Sequence, residues 1–438
     1  MKKIFLVFIF FLVMLIYPDI VYASVPNLIR IGLTREFANR DSIHIANTQI
    51  LAGYGSGGSF SASATLHSSA GFTARISGAN VALYSNGERV HLFRQSGAQI
   101  IDAAGGKLQL GNYSYRGAIE FLPNGGRVTA INVLCPEEYL YGVLPSEVSY
   151  SFHIEALKAQ AIASRTFMFY RTSEGSHSHQ GFDLCDNIHC QLYRGAGREH
   201  ANTTLAVNET HRQMIFHNNN LILAVYFASC GGVTDNSENV WREARPYLRA
   251  VRSVAEYDPP VWTRSFTNAE LTAALINADA NIGTATGMSV TNTSPYGRVQ
   301  ELTIEGTNGQ WRLTSEAIRT FFSPIGGNLM SRNFYIAGTA SSLFVTDGYE
   351  AANRSLAYFF WRNAQGEVAR VQVAYIFDGT TTRRVTSVAS VATGDVTING
   401  RGSGHGVGMS QRGALGMALA GYNHNEILHH YYTDVEIR

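Results

Sequence analysis

The chain has 438 residues, 45% hydrophobic and 15% charged, which leaves room for about three domains and excludes a disordered chain or a coiled coil. Only four of its basic residues are lysines: Lys2, Lys3, Lys107 and Lys158. Without residues 1–23, which hold Lys2, Lys3 and Asp19, the 34 basic and 33 acidic residues become 32 of each, and no cationic excess remains to neutralise a nucleic-acid backbone.

Lys2 and Lys3 precede fourteen apolar residues, Ile4 to Tyr17, which Pro18 and Asp19 stop. A helical run of that length reaches about 21 Å, short of the roughly 30 Å of a hydrocarbon core. Val21-Tyr22-Ala23 before Ser24 reads as a small-residue cleavage site. Residues 1–23 are therefore a signal peptide or, using Ile20 to Tyr22 as an extension, a membrane anchor. Either reading makes residues 24–438 extracytoplasmic, secreted to the cell wall or tethered to the membrane.

Residues 24–135 read as β. Ile29 to Leu33 alternates, turn clusters such as Gly53 to Gly58 and Ser85-Asn86-Gly87 punctuate the segment, and a hairpin is predicted from Gly117–Phe121 through Asn124-Gly125-Gly126 to Val128–Leu134. Residues 136–262 form a central, helix-bearing core. Its first helix is predicted from His153 to about Tyr170, with Ile154, Leu157 and Ala161 on one stripe and Ser151 as N-cap. Lys158 there sits in i,i+3 register with Glu155. Residues 221–252 read as a strand and a loop.

In residues 263–438, helices at Asn268–Asn277 and Ser315–Phe322 alternate with strands at Val299–Ile304 and Ala369–Ile376. Two helices close the chain, the last opened by the capping box Asn423-x-x-Glu426. The expected class is α+β: a β-rich N-terminal part, a helix-bearing core and a mixed α/β C-terminal part closing a cleft.

Three constellations carry chemistry. Glu147 follows Pro145 a few residues before the predicted helix, among apolar and aromatic neighbours. Burial would raise its pKa toward that of a general acid, whereas a helix N-terminus would favour the carboxylate, and a purely structural acid fits the composition as well. His179-x5-Cys185-x3-His189-Cys190 offers four donors for tetrahedral Zn²⁺. A Cys185–Cys190 disulfide is the alternative in an exported chain, with Cys135 and Cys230 left over. His189 and Cys190 can face one ion only across a turn, which Asp186-Asn187 supplies. Finally, Gly400 to Gly408 places glycine at every second position, which predicts a strand with one bare face open to close approach. Phe227 to Thr234, with Ser229 and Cys230, reads as a site rim or a buried turn.

The run from Tyr139 to Phe167, YLYGVLPSEVSYSFHIEALKAQAIASRTF, closely resembles the core motif of the SpoIID/LytB family, the stage II sporulation protein D group. ASCGGVT at 228–234, SPYGRVQELTI at 294–304 and GHGVGMSQRGALGMA at 404–418 match later blocks in the same order, so the resemblance covers about residues 27–438. It implies a lytic transglycosylase acting on peptidoglycan glycan strands, prominently during sporulation, with Glu147 as catalytic acid and Arg165 as an active-site arginine. Ser229, His405 and Gln411 fall in motifs that look like cleft lining, and some members bind zinc through a similar His/Cys cluster. Other relatives are described as wall-binding enhancers of an N-acetylmuramoyl-L-alanine amidase, which makes an amidase a second possible partner. Two positions depart from the pattern: Ser403 stands where Trp is usual and Arg412 where an aromatic is usual, which bears on sugar stacking. Arg165, about 20 Å along a straight helix from residue 152, reaches Glu147 only if the preceding loop folds back.

Overall fold

The computed structural model describes residues 27–56, 59–93, 98–103, 106–337 and 392–438, with strand pieces between 342 and 386. The leader expected at 1–23 lies outside the described residues, and no described helix is long and apolar enough to cross a membrane.

The class is α+β. A seven-stranded sheet has the order Leu184–Cys185, Ile29–Gly32, Arg127–Leu134, Ala118–Asn124, Ala98–Asp102, Gln49–Ser56 and Ser59–His67. The predicted hairpin is its centre, with Asn124 opposite Arg127 and Gly125 and Gly126 at positive φ. A six-stranded antiparallel sheet, running from Tyr113–Tyr115 at one edge to Glu88–Leu92 at the other, packs on it.

Among the described residues eight helices follow: α1 Pro136–Glu147, α2 Ile154–Glu174, α3 Ala201–Glu209, α4 Glu238–Trp241, α5 Asn268–Asn277, α6 Ala317–Thr320, α7 Gln411–Leu419 and α8 His424–Tyr431. The helix α1 was not legible as one. Pro136 starts it at the first turn, where a missing N–H is harmless, and Pro145 sits inside it, with the Ser146 hydroxyl donating to the Gly142 carbonyl 2.9 Å away. In α2 the N-cap is His153, whose ring accepts from the Glu155 N–H, rather than Ser151. The capping box expected at Asn423 and Glu426 is formed at the start of α8, and α5 has one as well, between Thr267 and Glu270. The expected Ser315–Phe322 helix shrinks to α6 plus a 3₁₀ turn, and the expected strand at 369–376 corresponds to Val368–Arg370 and Val373–Phe377, residues 371 and 372 lying outside the described set.

Apolar side chains sort into three cores. One joins the β-sheets to α1 and one side of α2, through residues such as Ile31, Phe121, Leu144, Leu157 and Met168. A second packs the other side of α2 against α7 and α8. The third joins residues between Trp262 and Ile336 to Val396 and Ile398. The chain end returns to the middle: Glu436–Ile437 pairs with Ile215–His217, and Met409–Ser410 runs parallel to Tyr226–Phe227. That last pairing brings two sequence motifs 180 residues apart into one place.

Candidate functional site

Glu147 is the last residue of α1. The site is therefore at a helix C-terminus, not ahead of an N-terminus, and the sign of the dipole effect reverses: the exposed carbonyl end disfavours the carboxylate, and no basic residue in the last turn offsets it. Burial is the main force raising Glu147 above the usual carboxylate range, while a single hydrogen bond from the Leu192 N–H to Oε1, at 2.9 Å, pulls the other way. Among the described residues no charged group acts on it.

Leu192 reaches Glu147 because Gly142 lets its segment lie against α1. A Cβ at 142 would meet the Tyr193 ring at 2.6 Å and the Gly195 carbonyl oxygen at 2.7 Å. The neighbouring Gln191 is buried, and its amide donates to the Ser164 carbonyl and the Tyr226 hydroxyl at 3.1 and 3.0 Å. Tyr226 is close enough to Glu147 for the carboxylate to raise the pKa of the phenol, after burial.

His405 lies beyond Tyr226. Its Nε2 is 3.1 Å from the Tyr226 carbonyl and its Nδ1 is 3.2 Å from the Val407 N–H. These two contacts fit one neutral tautomer, Nε2 donating and Nδ1 accepting. Burial, with help from Arg298, Arg319 and Arg332, pushes His405 down to about 3. The ring lies between Phe227 and Trp241, centroids 5.2 and 5.0 Å away.

The glycine repeat around His405 is not the expected strand. Regular pairing stops at Arg401, and Gly402, Gly404, Gly406 and Gly408 all adopt positive φ. The bare positions do admit close neighbours: a Cβ at Gly406 would strike the Arg298 guanidinium at 2.3 Å and one at Gly408 the Val225 carbonyl at 2.2 Å.

Ser229 is buried, and its hydroxyl is engaged. It donates to Glu256 Oε1 at 2.9 Å, as does the Ser410 hydroxyl, while the N–H groups of Cys230 and Gly232 reach Glu256 oxygens at 2.7 and 3.0 Å. Glu256 thus ties the two motifs together, a role that nothing in its loop sequence signals. Gln411 opens α7 and is buried.

Arg165 is corrected. Its side chain is wholly buried and grips Glu137 with Nε and Nη2 at 2.9 and 2.6 Å, and it donates to the carbonyls of Val207 and Gln213 at 3.2 Å each. Glu137 starts α1 and Glu147 ends it, about 15 Å apart along the axis. Arg165 consequently anchors the helix that carries Glu147 and does not touch the site.

The His/Cys cluster forms with one exchange of partner. The donors of His177, Cys185, His189 and Cys190 all lie within 4.8 Å of one another. His179 instead stands exposed on a 3₁₀ turn and lines a cavity of about 480 Å³ with Thr34, Asn39 and Phe182. The Asp186-Asn187 turn is present, with the Asn187 side chain accepting from the His189 N–H at 2.9 Å and its carbonyl from the Cys190 N–H at 3.1 Å. Separations of 3.3 Å (His177 Nε2 to Cys190 Sγ), 3.5 Å (His189 Nδ1 to Cys190 Sγ) and 3.8 Å (His189 Nδ1 to Cys185 Sγ) match the roughly 3.3–3.8 Å edges of a tetrahedron with zinc bond lengths. Gln180 Oε1 holds His177 Nδ1 at 3.1 Å, the outer hydrogen bond that metal-binding imidazoles use. Cys185 is drawn down to about 4, first by its hydrogen bond with Cys190. All four cysteines are free thiols, so the alternative Cys185–Cys190 disulfide is not formed.

The site is thus a desolvated carboxyl at the end of α1, on an α+β scaffold, beside the loop that carries the His/Cys cluster. Residues 124–217 match the family model described as Stage II sporulation protein (SpoIID), and residues 259–350 match a Domain of unknown function (DUF8618). The chain is 28% identical over 331 residues to an uncharacterized protein of Brachyspira hyodysenteriae, covering 75% of this chain and 73% of that one. It is also 28% identical to the stage II sporulation protein D of Bacillus subtilis (69% and 74% covered) and to the amidase enhancer of the same organism, of which it spans only 39%. These matches support a relation to the SpoIID family, with the family model itself covering residues 124–217.

Proposed function

We propose that the protein is a peptidoglycan lytic transglycosylase that cuts MurNAc–GlcNAc bonds of glycan strands outside the cytoplasmic membrane, in sporulation or cell-wall remodelling. The observation that carries this reading is Glu147: a carboxyl raised by burial at a helix C-terminus, holding one hydrogen bond and, among the described residues, no ionic partner. Ordinary glycosidases need a second carboxyl to activate water or to attack the sugar. A lytic transglycosylase uses the sugar's own hydroxyl and needs one.

In the proposed reaction Glu147 donates its proton to the glycosidic oxygen as the bond from MurNAc C1 breaks. The MurNAc C6 hydroxyl oxygen then bonds to C1, and its proton passes to the Glu147 carboxylate. The products are a GlcNAc hydroxyl and a 1,6-anhydro end, with the acid restored. Neutral His405, Gln191 and Tyr226, hydrogen-bonded within the protein, form an uncharged wall beside the acid. His177, Cys185, His189 and Cys190 would hold a structural zinc, which supplies rigidity; Cys190 is two residues before the Leu192 N–H that sets Glu147.

The likeness to the amidase enhancer favours a second reading, a wall-binding protein that stimulates an amidase. Denuded glycan and intact wall, each incubated with the protein alone and with an N-acetylmuramoyl-L-alanine amidase, separate the two. Anhydro-MurNAc ends from the protein alone support the enzyme. No anhydro product, with faster stem-peptide release in the amidase arm, contradicts it.

A further inference from the structure

Trp241 is 41% exposed, although its neighbours hold it in one place. It ends α4, whose mount is a closed set of polar contacts. Arg249 pairs with both oxygens of Glu238 at 2.9 and 2.7 Å, and the Ser237 hydroxyl donates to the Glu243 carbonyl while accepting from the Arg245 N–H, both at 2.8 Å. Asp235 receives the Asn239 amide at 2.7 Å, and its own N–H donates to the Gly406 carbonyl at 2.7 Å, fixing the helix to the glycine repeat. Arg242, at φ 69°, turns the chain away directly after the indole. A rigid mount of this kind lowers the entropy lost when an exposed ring takes a ligand.

One side of the indole is against His405, 5.0 Å between centroids, and the next groups inward are Phe227, Tyr226 and Gln191. Tyr226 links the two ends of this row: its carbonyl meets His405, and its hydroxyl takes a hydrogen bond from Gln191, next to the Leu192 whose N–H bonds Glu147. The row therefore presents an exposed apolar plane backed by uncharged, internally hydrogen-bonded side chains, which suits the C–H face of a pyranose.

We propose that Trp241 is the stacking platform for a sugar ring of a neutral glycan bound across His405 and Tyr226 toward Glu147. This rests on the glycan reading above but names a residue that reading does not require. Trp241→Ala, Trp241→Leu and Trp241→Phe, each in a Glu147→Gln background to prevent turnover, are compared for binding of chitopentaose and denuded glycan by calorimetry and co-sedimentation. The expected result is about tenfold weaker binding for Ala and Leu and less than threefold for Phe, with unchanged thermal midpoints. In the Glu147 background, Trp241→Leu should raise KM with little change in kcat. Binding by the Leu variant equal to that of the Phe variant overturns the proposal, because plain burial then suffices. Cleavage by wild type with unimpaired Trp241→Leu binding sinks the platform alone; tryptophan-dependent binding without cleavage sinks the transglycosylase alone.

Discussion

The Arg165–Glu137 pair offers a sharp distinction between an arginine that serves the fold and one that serves the reaction. Arg165→Met and Glu137→Gln each leave a buried ion without its counter-charge. Such a loss costs about 3–5 kcal/mol, a large part of the roughly 5–15 kcal/mol that holds a domain together. The double variant buries no charge and loses only the two Arg165 bonds to the carbonyls of Val207 and Gln213, about 1 kcal/mol each. It should therefore be destabilised by about 2 kcal/mol, far less than the sum of the singles. Urea unfolding of the four proteins measures this coupling. Additive losses, or an Arg165→Met protein of native stability that no longer binds glycan, would refute the anchoring role and return Arg165 to the cleft.

Gly142→Ala gains about 1 kcal/mol of helix propensity but drives a methyl into Tyr193 and the Gly195 carbonyl, at about 1–3 kcal/mol. A net loss of up to about 2 kcal/mol with slower glycan cleavage is expected; a more stable, fully active variant would mean that residues 191–195 do not pack on α1. Glu155 is raised by burial, yet bonds from His424 and Lys158 outweigh that and take it down to about 2, so its stabilisation is present above pH 4.5 and fades as pH falls toward 2. After solvent screening, Glu155→Gln should cost about 1–2 kcal/mol at pH 7 and nothing near pH 2, and chemical unfolding across pH checks it. His177→Ala should lose bound zinc in elemental analysis and lower the thermal midpoint, whereas His179→Ala should do neither; the opposite pattern would restore the ligand set read from spacing.

Features with local causes were legible in the sequence. The hairpin turn, the extent of α5, the capping box of α8, and the helix through Leu157 and Ala161 are each specified by residues within a turn or two of one another. The failures share a different cause. Pro145 and Gly142 made α1 read as a loop, although Gly142 is there for a neighbour more than fifty residues away. Alternating glycines fit both a bare strand and a string of positive-φ turns, and only the nearby Arg298 and Val225 select the second. His177 replaces His179 because the 3₁₀ turn at Ser178–Gln180 reverses which imidazole faces the cysteines. Glu256 gave no signal, since its partners come from chain segments 24 to 154 residues away. Within the site, Glu147 was identified by resemblance, but the reason for its raised pKa came from the end of the helix on which it sits.

The account rests on Glu147 as the proton donor, and product analysis over pH tests that most directly. Denuded glycan is incubated with wild type and Glu147→Gln, and anhydro-MurNAc ends are counted by mass spectrometry. The wild type should form them at a rate that declines as pH rises through a carboxyl pKa above 4.5. The folded Gln variant should form them at least about a hundredfold more slowly at every pH. Equal yields from the two proteins, or a wild-type rate that shows no carboxyl titration, would contradict the account.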